Sequence, residues 1–89
     1  MQVRVKLLGS LRSPQIPNVF TIELPAKAKM ISLIDKLSEL HPKVASSLVD
    51  ESIKSLIMLD GVEVGNLSGL NTPLKEGSEV VMVPITHGG

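Results

Sequence analysis

Residues 74–89 read Leu74-Lys75-Glu76-Gly77-Ser78-Glu79-Val80-Val81-Met82-Val83-Pro84-Ile85-Thr86-His87-Gly88-Gly89. Leu74 to Gly77 carries turn chemistry, and Glu79 to Ile85 is a strand-like run that is apolar at both parities. With Glu79 marking the solvent side, Val81, Val83 and Ile85 share that side, while Val80 and Met82 turn to the core. A strand apolar on both faces belongs in the middle of a sheet, where it is either covered twice or leaves an apolar patch in the open. The run then gives way to Thr86-His87-Gly88-Gly89, read as a flexible tail (86–89) on a single domain (1–85). The two glycines put a carboxylate, ionised at neutral pH, on a slim segment. Lacking a Cβ, such a backbone can approach another protein's active site closely. The same dipeptide also suits a plain frayed end.

Upstream, the pattern alternates from Met1 to Leu7, with Met1, Val3, Val5 and Leu7 apolar and Gln2, Arg4 and Lys6 polar. Asn18 to Leu24 alternates again, placing Phe20, Ile22 and Leu24 on one face and Thr21 and Glu23 on the other. Gly9-Ser10, Pro14 and Pro17 mark the loop between them, so the two runs form a hairpin with a long connection. After Pro25 the period becomes helical. Met30, Ile34, Leu37 and His41 share a stripe with Leu33 and Leu40 beside it, opposite Ser32, Asp35, Lys36 and Glu39. Lys29 or Met30 stands where Ser, Thr or Asp would cap the helix. Pro42 interrupts it, making His41 a helix-end residue, and Val44 to Val49 could add a short turn.

Ser55 to Leu59 is a third strand, Asp60-Gly61 a tight turn and Val62-Glu63-Val64 a short fourth strand; Gly65 to Pro73 is loop-rich. The expected architecture is α+β: a sheet of about five strands packed on one α-helix, in the order ββαβββ. One helix covers only one face of a sheet. The Val81, Val83 and Ile85 side is therefore expected to stay open as a partner-binding face; ordinary scattered surface valines are the alternative.

Composition removes several functions. At 89 residues the chain is one domain, able to bury roughly 60–65% of its surface. It has no cysteine, hence no disulfide framework, thiolate nucleophile or cysteine-based metal site. His41 and His87 lack metal-ligand spacing, so no metal site is expected. Zero net charge and the absence of Trp and Tyr argue against direct nucleic-acid binding. Without an 18-residue apolar run or a signal-peptide pattern, a soluble, cytoplasmic protein with no membrane partner is expected.

The order of elements resembles the β-grasp fold of ubiquitin and its sulfur-carrier relatives. Leu74-Lys75-Glu76-Gly77-Ser78-Glu79-Val80 resembles the L-K-[DE]-G-D-x-V stretch that precedes the last strand in those carriers. Val83-Pro84 followed by Gly88-Gly89 is similar to the small subunit of molybdopterin synthase, although Ile85-Thr86 replaces its second proline and the residue after it. Thr86-His87-Gly88-Gly89 is closer to the ubiquitin-related modifier, whose tail ends in Leu-His-Gly-Gly, and small archaeal modifiers lie between the two. The long Gly9–Pro17 and Gly65–Pro73 loops fit the shorter thiamine-pathway carrier poorly.

The resemblance implies a carrier rather than an enzyme. A partner adenylating enzyme, using ATP, would dock around Val81 and Val83 and activate the Gly89 carboxylate. A sulfur donor would then make a thiocarboxylate, for delivery to tRNA or a pterin precursor. Alternatively, lysines of target proteins would take the glycyl group as an isopeptide. No cofactor is expected on the chain itself. Extended, Thr86 to Gly89 reaches roughly 13–14 Å, enough to thread Gly88 and Gly89 into a buried pocket. Thr86 and His87 would serve tail recognition; His87, whose imidazole titrates near neutrality, would bind the enzyme or assist proton transfer, or simply be solvated. A reading from another class also stays open: a non-covalent β-grasp binding module with an idle tail.

Overall fold

The computed structural model describes residues 1–49 and 54–85. Its elements are β1 (Gln2–Leu7), β2 (Val19–Glu23), α1 (Met30–Leu40), α2 (Pro42–Val49), β3 (Lys54–Leu59), β4 (Val62–Glu63) and β5 (Glu79–Ile85). The five strands form one sheet in the order β2-β1-β5-β3-β4. β1 and β5 run parallel, and the other neighbours are antiparallel, so the sheet is mixed. This is the α+β, β-grasp arrangement the element order implied.

The alternating sequence of β1 sends Val3, Val5 and Leu7 inward, all fully buried, and leaves Gln2, Arg4 and Lys6 exposed. Ile22 from β2 and Val80 and Met82 from β5 join them beneath α1, which buries Met30, Leu33, Ile34 and Leu37. Leu40, expected beside this stripe, is instead 52% exposed. Phe20, the one aromatic residue, is only partly buried, and its ring meets His41 edge-on at 5.1 Å between centroids.

The helical layer corrects the expectation of a single helix: the order is ββααβββ. Pro42 does end α1, but it also opens α2, because the first helical position needs no N–H donor. His41 serves both helices. Its N–H donates to the Leu37 carbonyl at 2.7 Å, and its own carbonyl accepts from Val44 and Ala45 at 3.0 and 3.2 Å. Val44 and Ala45 are buried and α2 packs on α1, so both helices lie in one layer.

The start of α1 lacks a side-chain acceptor at Lys29, as the sequence suggests. Tertiary structure supplies one: the Met30 N–H donates to the Thr72 carbonyl at 2.9 Å, and Ser32 Oγ accepts from the Lys29 N–H at 3.1 Å. The Asp60-Gly61 turn has positive φ at both residues, +48° and +86°, as a two-residue hairpin requires. Asp60 Oδ1 accepts the Glu79 N–H at 2.8 Å, tying that turn to the start of β5. Val64, expected to close the fourth strand, begins a 3-10 turn and is buried.

Candidate partner face and tail exit

β5 lies between β1 and β3, so its alternate side chains are sorted by the layer on one side only. Val80 and Met82 are sealed under the helices. Val81 and Val83 are half-buried and Ile85 is 38% exposed, all on the face away from the helices. The β3 register adds two residues that the sequence reading did not single out. Leu56 lies opposite Val83 and Met58 opposite Val81, each half-buried on the same outer face. β3, like β5, is apolar at both parities from Leu56 to Leu59; that pattern was the available signal, but only the pairing shows which residues complete the patch.

The result is an apolar band two strands wide, bounded by charge. Lys6 stands beside Val81 on β1, and Arg4 pairs with Glu79 at 3.9 Å. Glu63 of β4 lies opposite Met58 on the far side. Such charges contribute little to stability, but they mark the edges of the apolar band.

Pro84 sits near the end of the central strand without costing it a bond. In β5 the even residues direct their backbone groups to β1: the Leu8 N–H donates to the Met82 carbonyl at 3.1 Å, and the Arg4 N–H to that of Ser78 at 2.9 Å. The missing N–H of Pro84 therefore lies on the β1 side, beyond the last β1 pair, Leu7 with Met82. Pairing to β3 continues through Val83 and Ile85. Proline also restricts Val83 to extended backbone, stiffening the strand where it leaves the sheet. From the other side, Gly9 presses on Pro84: its φ is +56°, and a Cβ there would stand 2.9 Å from Pro84 Cγ. The β1–β2 connection is thereby held against the last residues of β5.

Of the residues singled out in the sequence, the structure brings Val81, Val83 and Ile85 together on one face. Thr86, His87, Gly88 and Gly89 lie outside the described residues. Among the described residues no cluster of His, Asp and Glu is arranged to hold a metal, and no helix is long and apolar enough to cross a membrane.

A mixed sheet with its helices on one face and an apolar band on the other defines a β-grasp protein of the ubiquitin-like type. The ThiS family profile matches residues 5–89, and the chain belongs to that family of ubiquitin-like sulfur carriers and modifiers, small carrier proteins rather than catalysts. The fold is shared with the small archaeal modifier protein 1 from Methanosarcina acetivorans (24% identity, TM-score 0.78, covering 99% of this chain and 96% of that one). It is also similar to a molybdopterin converting factor subunit 1 from Pyrococcus furiosus (25% identity, TM-score 0.74, covering 96% and 98%). A third likeness, at 24% identity and TM-score 0.65 with both chains fully covered, is to the complex of subunits 1 and 2 of molybdopterin-converting factor from Helicobacter pylori. No curated protein matches the sequence.

Proposed function

We infer that this chain is a sulfur carrier activated at Gly89. The observation that carries the reading is the Gly88-Gly89 pair, the third and fourth residues after the central strand of a chain in the ThiS family. A partner adenylating enzyme docks on the band formed by Leu56, Met58, Val81, Val83 and Ile85. The Gly89 carboxylate attacks the α-phosphorus of ATP, forming an acyl adenylate and releasing pyrophosphate. Sulfide from a donor then displaces AMP, leaving a thiocarboxylate for transfer to tRNA or a pterin precursor. A lysine amine attacking the same adenylate also releases AMP and leaves an isopeptide bond, so one activation step serves both outcomes. Thr86 and His87 give the tail the length and polarity to reach the pocket, and ATP belongs to the partner.

The protein contributes position and surface. The band supplies apolar area to exclude water at the contact, and the close approach of Gly9 to Pro84 holds the β1–β2 connection against the end of β5. The test uses the adenylating enzyme purified from the same cells by its dependence on this chain, read by ATP–pyrophosphate exchange. Deleting Gly89 is expected to abolish exchange and every thiocarboxylate or conjugated species while leaving the melting temperature unchanged. If tRNA thiolation or conjugation continues without Gly89, the reading fails; if only non-covalent partner binding is found with or without Gly89, the chain is a non-covalent binding module.

A further inference from the structure

The only sulfur in this chain is in its four methionines, because cysteine is absent. Their access differs sharply. Met30 and Met82 are fully buried, and Met1 packs against the core. Met58 alone lies on the outer face, half-buried, between Val81 of β5 and Glu63 of β4. We propose that Met58 is a site of S-oxidation by hydroperoxides, and that oxidation there blocks docking on the apolar band; the docking consequence rests on the carrier reading above.

The step balances without a protein catalyst. A thioether lone pair attacks one peroxide oxygen, the O–O bond breaks and an S–O bond forms. Sulfur gives up two electrons, the transferred OH loses its proton, and the departing oxygen takes up a proton, leaving as water from hydrogen peroxide or as an alcohol from an alkyl hydroperoxide. The requirement is access to sulfur; Met58 is half-buried on the outer face, whereas the two core methionines are fully buried. No thiolate on this chain competes for the oxidant.

The consequence follows from where the new oxygen stands. Leu56, Val81, Val83 and the Glu63 carboxylate are the neighbours of Met58 on this face; the first three have no side-chain donor, and an ionised carboxylate only accepts, so none donates to a sulfoxide. In the free chain water solvates that oxygen. Beneath an apolar partner surface it is buried without a hydrogen bond, which opposes binding. The sulfoxide also bears on detection: it adds about 16 Da, nominally the same as exchanging a Gly89 carboxylate oxygen for sulfur. An intact mass alone therefore confuses an oxidised Met58 with a loaded tail, and fragment masses separate them.

In the test, the full chain is treated with hydrogen peroxide, the peroxide is removed, and sulfoxide at each methionine is followed by peptide mass mapping. Met58 is expected to oxidise at least roughly tenfold faster than Met30 and Met82. Treated and untreated chains then enter ATP–pyrophosphate exchange with the adenylating enzyme described above, and treatment is expected to lower exchange about tenfold or more. The variant Met58→Leu, whatever its starting rate, is expected to lose nothing on peroxide treatment, and Met58→Gln to be impaired without it. The proposal is overturned if Met58 oxidises no faster than the core methionines, if the Met58 sulfoxide exchanges at the untreated rate, or if Met58→Leu loses exchange as the parent does. Failure of the untreated chain to drive any exchange overturns the carrier reading, and the docking consequence with it, while the peptide map still decides whether Met58 is the oxidation site.

Discussion

Val80 and Val81 are the same side chain one residue apart in the same strand, and they meet opposite environments. Val80 is sealed beneath the helices, whereas Val81 lies half-open on a face that no element of the described chain covers. Met82 and Met58 repeat the contrast: one fills the core, and the other stands half-buried on the outer face across from Val81. The difference teaches that hydrophobicity in β5 does two jobs. The inner row drives folding by removing apolar area from water, about 25 cal/mol per Å2. The outer row leaves that gain unrealised in the free chain, available to whatever closes over it.

Paired substitutions can break the contrast. Val80→Asp puts a carboxylate where no water or cation reaches, so a loss of about 3–5 kcal/mol, or failure to fold, is expected in a denaturant titration. Its outer counterpart, Val81→Asp, should cost about 1 kcal/mol or less in the same titration, yet reduce adenylation-dependent exchange more than roughly tenfold. Equal destabilisation by both would mean that the outer face is structurally buried and that the two rows are not distinct.

A third change tests whether the two faces meet at the tail exit. Gly9→Ala forces a Cβ into a left-handed backbone and against Pro84, and a loss of about 1–3 kcal/mol is expected, measurable as a lowered melting temperature. The smallest effect is a gain. Lys27 holds φ at +67° in the turn before α1, where its Cβ is unfavourable. Lys27→Gly should stabilise the domain by about 0.5–1 kcal/mol and leave exchange unchanged, sharpening the distinction between residues that serve the fold and those that serve docking.

Much of the fold was legible because it is local. Two-residue alternation in β1 and β2 assigns their inner and outer faces, and Asp60-Gly61 announces its hairpin through the positive φ both residues accept. Other features were not legible, each for a physical reason. Pro42 reads as a helix breaker, yet in the first turn of α2 its missing donor is harmless, so a stretch that reads as a short turn is a second helix. The uncapped start of α1 looks like a defect until Thr72, far along the chain, supplies the carbonyl. Leu56 and Met58 stand in a run apolar at both parities, but only their pairing with Val83 and Val81 shows that they complete the outer band.

The sequence by itself determined the strands, their buried parity and the main turns, because each depends on residues within a turn or a strand of one another. Only the tertiary structure decided that β5 runs parallel to β1 and antiparallel to β3, and that both helices share one layer. It also made the exposed valines of β5 half of a wider band. Those outcomes rest on contacts between residues far apart in sequence, which form only when the chain closes long loops to bury its inner row.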